Sequence, residues 1–112
     1  MPNDHLILVF STCHSEEIAS RIAEGLVNQN LAACVNIIPG IESVYRWQDK
    51  IQRDKEFLLI IKTAKTRFLE VQDAITELHD YELPEIIAVP IDAGEQAYLN
   101  WIKSATLVTE TE

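Results

Sequence analysis

The feature that most restricts this chain is residues 31–47, LAACVNIIPGIESVYRW, a long and nearly uncharged run broken once by Pro39-Gly40. Its β-branched and aromatic residues, Val35, Ile37, Ile38, Ile41, Val44, Tyr45 and Trp47, favour a pleated strand over a helix. Pro39 cannot donate to a ladder and Gly40 has no side chain to pack. The run therefore reads as two strand halves joined by a bulge or bend. A strand of this length in a chain of 112 residues must extend beyond one core. Tyr45 and Trp47, at its far end, are then expected to have nothing of their own chain to pack on, which predicts an oligomer.

The other elements follow from periodicity. Residues 5–10 are apolar after His5 and predict a buried strand that continues into Ser11-Thr12-Cys13-His14. Ser15 is the expected N-cap of a helix with Glu16 and Glu17 in its first turn and Ile18, Ala19, Ile22, Ala23 and Leu26 on one face. After residues 31–47, Gln48-Asp49-Lys50 reads as a polar turn and residues 51–63 as the returning strand. Within it residues 57–61 are buried and residues 52–56 are polar and solvated, the pattern of a hairpin. Thr66 is expected to cap a second helix with a Phe68, Val71, Ala74, Ile75, Leu78 stripe that stops at His79-Asp80-Tyr81. Pro84 pushes Leu83 out of helical space, residues 86–89 form a short strand, and residues 95–103 form a third helix.

The order strand, helix, strand, strand, helix, strand, helix is the split βαβ pattern. It predicts an α+β, ferredoxin-like domain, βαββαβ plus a C-terminal helix, with both main helices on one sheet face. Strands that are apolar on both faces need the opposite face covered, and the third helix alone is too short for that. The whole chain, residues 1–112, reads as one domain whose tail after about residue 104 frays.

Eighteen acidic against nine basic residues give a formal net charge of −9. That balance opposes nucleic-acid and anionic-membrane partners and tolerates cations. No apolar run approaches the roughly 20 residues of a membrane span. The N-terminus has no basic region preceding an apolar one, so the expected compartment is the cytoplasm. Two cysteines, Cys13 and Cys34, are too few for a disulfide framework.

For chemistry, Cys13 and His14 are a soft-ligand pair for copper or zinc, although neighbours on a strand point to opposite faces. His79 ends a helix, where an imidazole serves equally as a C-terminal cap or a ligand. Glu85 is a candidate to receive a cation in a cleft, or to pair with Lys62 or Arg46. Tyr45, Trp47 and Trp101 are expected interface anchors, and Tyr81 and Trp47 sit where strands and helices end, so they are also pocket candidates. There is no glycine-rich phosphate loop, HExxH, GxSxG or CxxC, so neither an enzyme nor an organic cofactor is expected.

Three strings, LAACVNIIPGIESVYRW, KTAKTRF and LHDYELPEIIAVPIDAGEQAYLNWI, closely resemble the CutA-type divalent-cation-tolerance family over nearly the whole chain. The resemblance implies a small cytosolic protein whose ferredoxin-like subunits form a homotrimer by edge-to-edge sheet pairing, similar in fold to the PII signalling proteins. It also implies a role in tolerance to divalent metals, copper above all. Copper-binding members place a Cys at the position of Ser11 and a His pair at the positions of Leu78 and His79. Only His79 is kept here, and neither a hydroxyl nor a leucine side chain replaces a thiolate or imidazole as a copper ligand. The expectation is thus a displaced metal site from Cys13, His14 and His79, with Asp80 as an added oxygen donor. The function expected is weak metal binding or signalling of metal status. The alternatives are a PII-like sensor of a small organic ligand, with Tyr81 and Glu85 in the cleft between subunits, and a trimeric scaffold for a protein partner.

Overall fold

In the computed structural model, which describes residues 5–107, the elements run β1 (Leu6–Cys13), α1 (Glu16–Asn28), β2 (Cys34–Trp47), β3 (Lys50–Ala64), α2 (Phe68–Leu78), β4 (Ile87–Pro90) and α3 (Gln96–Ala105). The four strands form one antiparallel sheet in the order β2-β3-β1-β4, the ferredoxin-like arrangement. The Ser15 hydroxyl accepts from the Ile18 amide and starts α1 as expected. Thr66 does not cap α2. It lies inside a 3₁₀ turn, Lys65–Arg67, and Arg67 occupies the cap position without a side-chain bond. The Arg67 guanidinium instead donates to the Thr106 carbonyl at 2.9 Å and to Glu70 at 2.8 Å. That contact ties the end of α3 to the start of α2, so order persists beyond Lys103: α3 runs to Ala105 and Thr106 is buried. The rest of the expected fraying segment, residues 108–112, lies outside the described residues.

One face of the sheet is closed by α1 and α2 over Ile7, Val9, Leu59 and Ile61, with Ala19, Ile22, Leu26, Val71 and Ile75 from the helices. A smaller cluster, Leu6, Ala33 and Ile102, shows α3 covering part of the opposite face. That cover is incomplete, as the short length of α3 implies. Ile87, Val89, Tyr98 and Trp101 remain exposed.

The Pro39-Gly40 break is a bulge. The β2–β3 register shifts between Ile38 and Ile41, and Gly40 sits at φ +77°. Beyond the bulge the hairpin leaves the sheet. β1 pairs with β3 only as far as Cys13 opposite Phe57, whereas β2 and β3 continue together from Ile41 opposite Glu56 to Trp47 opposite Lys50. The result is a two-stranded ribbon on a molecule 51 Å in its longest dimension. At its tip Gln48 (φ 52°) and Asp49 (φ 68°) both adopt left-handed backbone, the combination of a tight two-residue hairpin turn.

Candidate functional site

Three features converge where β1 ends, the ribbon begins and α2 stops. The last residues of β1 deliver Thr12, Cys13 and His14. The ribbon delivers Glu56, Ser43 and Asp54 near its base, Tyr45 further along it and Trp47 at its tip. The stop of α2 delivers His79, Asp80 and Tyr81. Leu78, the last residue of α2, packs against the core, and His79 after it turns to extended backbone (φ −82°, ψ 150°).

His79 is locked in place. Its side chain is wholly buried. Nε2 lies 2.6 Å from the Thr12 carbonyl oxygen, and Nδ1 accepts the Tyr81 amide at 3.1 Å. A carbonyl accepts and an amide donates, so the pattern assigns the neutral Nε2–H tautomer with both ring nitrogens used. Nothing is left to face a metal, and the expected His79 ligand is better described as the pin joining the end of β1 to the 79–83 loop. Cys13 is also wholly buried, and its thiol lies 3.6 Å from the Ser15 carbonyl oxygen. Burial pushes that thiol above its ordinary value of 9.0, which disfavours the thiolate a soft metal needs. Among the described residues no group of three His, Cys, Asp or Glu side chains is placed to hold a metal ion. Cys13, His14 and His79 are therefore brought to one region without forming a ligand set. At the two of the three expected donor positions where this chain lacks the donor, Leu78 packs against the core and the buried Ser11 hydroxyl has no hydrogen-bond partner.

His14 is the accessible member. It is exposed, stacks against Tyr81 at 5.6 Å between ring centroids, and places Nε2 3.5 Å from an Asp80 oxygen. Beside it a cleft of about 300 Å³ opens between the ribbon and the 79–83 loop. Tyr45, Trp47 and Asp54 line one wall and Asp80, Tyr81, Glu82 and Leu83 the other. Tyr45 and Trp47, expected to lack any partner in their own chain, thus face their own 80–83 segment while staying 41% exposed. Tyr81 lines this cleft, which lies within one chain and not between subunits. Glu85 is exposed outside it, and Glu82 takes that role. Lys62, a suggested partner for Glu85, lies 3.3 Å from the Tyr98 hydroxyl. Trp101 packs with Tyr98 on α3, a separate exposed patch.

The residue that sequence reasoning missed is Glu56. The sequence places it in the polar, solvated stretch 52–56, yet it is only 7% exposed. Its two carboxylate oxygens accept the Ser43 hydroxyl at 2.6 Å and the Tyr81 hydroxyl at 2.5 Å. The available signal was its place directly before the apolar run 57–61, opposite Ile41 at the bulge. Burial first, and then the bond to Glu56, raise the Tyr81 hydroxyl well above its ordinary value of 10.0. The Tyr45 hydroxyl donates to Asp54 and is raised chiefly by that bond.

Comparison with known proteins gives one consistent answer. Residues 7–105 match the family described as CutA1 divalent ion tolerance protein. A divalent-cation tolerance protein CutA of Thermus thermophilus is 46% identical over 99 residues, which are 88% of this chain and 96% of the relative. A chloroplastic protein CutA of Arabidopsis thaliana is 45% identical across 89% of this chain, which spans 55% of that longer protein. Among solved structures, CutA1 of Oryza sativa superposes with a TM-score of 0.90 at 43% identity, covering 94% of this chain and 96% of that one.

Proposed function

The chain belongs to the CutA1 divalent ion tolerance family, and from that premise we propose that it serves divalent-cation tolerance as a cytoplasmic homotrimer that binds cations such as copper(II) weakly at the mouth of the Tyr45–Tyr81 cleft. The observation that carries this reading is the exposed His14 imidazole facing the Asp80 carboxylate beside that cleft. One imidazole with nearby carboxylates suits borderline divalent metals. Two such donors leave most coordination positions to water, so affinity is low. An ion drawing on Asp80 pulls the loop that His79 and Tyr81 pin to β1 and the ribbon, which offers a route from metal occupancy to shape. The trimer reading draws on the apolar surface left on β4 and α3, and the compartment reading on the two free cysteines.

Calorimetric titration with copper(II) and zinc(II) tests the metal reading, comparing the unaltered chain with His14→Ala and Cys13→Ser. Weak binding that falls by about tenfold or more in His14→Ala and persists in Cys13→Ser supports it. Binding that survives in His14→Ala, or that depends on Cys13, overturns it.

A further inference from the structure

We propose, on the His14–Asp80 reading above, that Tyr81 is the positioning residue of that site: its ring aims the His14 imidazole at the cation without touching the ion itself. Tyr81 is held at both ends. Its hydroxyl donates to the buried Glu56 carboxylate at 2.5 Å, and its amide donates to His79 Nδ1 at 3.1 Å. Its ring also lies against the wholly buried His79 ring, with centroids 4.5 Å apart. Fixed through both its side chain and its backbone, it presents a rigid aromatic face beside the end of β1.

His14 takes its direction from that face. It follows the last residue of β1 and precedes Ser15, the cap of α1, so its backbone is placed while its side-chain torsions are not. Its side chain is 50% exposed and lies on Tyr81, with ring planes 12° apart and centroids 5.6 Å apart, an offset stack. In that orientation Nε2 faces the Asp80 carboxylate at 3.5 Å. Asp80 in turn sits between the two pinned residues His79 and Tyr81, so its backbone is fixed by the same bonds. One donor is thus set by the chain and the other by the stack. The rotamer freedom that an exposed imidazole would lose on binding is given up in advance, which favours binding at an otherwise weak site. These contacts lie within one chain and use neither Tyr45 nor Trp47, which stay available to a neighbouring subunit.

Copper(II) calorimetry and electron paramagnetic resonance on the full chain compare the unaltered protein with His14→Ala, Tyr81→Leu and Tyr81→Phe, circular dichroism establishing that each folds. His14→Ala should lose the binding. Tyr81→Leu should weaken it by about threefold to tenfold and broaden the copper spectrum, as the imidazole samples several orientations. Tyr81→Phe keeps the ring without the hydroxyl and should restore most of the affinity and the narrow spectrum. A Tyr81→Leu variant that binds like the unaltered chain, while His14→Ala does not bind, overturns the positioning role and leaves the metal reading standing. Equal losses in Tyr81→Phe and Tyr81→Leu overturn it as well, because the ring stack is then not what aims His14. Copper binding unchanged in His14→Ala removes the metal reading itself. A zinc(II) titration of the unaltered chain keeps the test decisive if Tyr81→Leu does not fold. Nuclear Overhauser contacts between the His14 and Tyr81 rings should persist at zinc saturation, and their loss on zinc binding overturns the proposal.

Discussion

His79 donates from Nε2 to the Thr12 carbonyl across 2.6 Å and accepts the Tyr81 amide on Nδ1, so one buried ring joins the first strand, the end of the second helix and the cleft loop. Replacing it with alanine orphans a buried carbonyl and an amide at once. His79→Ala should cost on the order of 2–3 kcal/mol. The check is urea unfolding, read as a lower midpoint with an unchanged slope. A midpoint equal to that of the unaltered chain would mean that the ring does not pin the loop.

Alkaline pH should loosen the same region. Burial raises Cys13 above 9.0. Burial and Glu56 raise Tyr81 above 10.0, and the bond to Asp54 raises Tyr45 above the same value. A group whose folded-state value is raised holds its proton more tightly when folded. Its contribution is complete below its ordinary value and is lost as pH climbs through the folded one. Melting temperature should therefore hold below about pH 9 and fall above it. Tyr81→Phe leaves a Glu56 oxygen without its donor, so it should lower stability at neutral pH by about 2 kcal/mol while flattening the alkaline decline. Parallel alkaline slopes for the two proteins would contradict the Tyr81 assignment.

Gly40 tests the bulge. A Cβ added there meets nothing within 4 Å, so a substitution acts only through the backbone at φ +77°. Gly40→Ala should destabilise by about 1 kcal/mol, and Gly40→Asn by less, since asparagine tolerates left-handed backbone. Thermal melts of the two variants decide it, and an alanine variant at least as stable as the asparagine one would refute it.

The proposed trimer makes folding and assembly one event, so the unfolding midpoint should rise with protein concentration. Ile87, 55% exposed on β4, and Trp101, 47% exposed on α3, are the side chains whose burial it would need. Ile87→Asp should lower the sedimentation coefficient towards that of a single chain and remove the concentration dependence. A single-chain coefficient for the unaltered protein would dispose of the trimer itself.

Most of the scaffold was legible because it rests on local pattern. The strand-helix order, the Ser15 cap and the bulge at Pro39-Gly40 each follow from residues within one element. The site was legible only as a list of nearby names. His79 looked equally like a ligand and a cap, because its partners depend on where the Thr12 carbonyl arrives, 67 positions away in the chain. Glu56 looked solvated because Tyr81, which buries and bonds it, comes from another part of the sequence. Thr66 failed as a cap because Arg67 is drawn to the end of α3, a tertiary contact that no local rule contains. Tyr45 and Trp47 read as partnerless because the path of the 79–83 loop could not be followed from composition.

The most direct test of the account is to locate the ion. Copper(II) added at low stoichiometry to the isotope-labelled protein broadens the amide signals nearest to it. The account predicts selective loss at His14, Asp54 and residues 80–83, reversed by chelation and absent in His14→Ala. Broadening centred on residues 11–13 and 78–79 instead would contradict it and restore the buried Cys13–His79 reading.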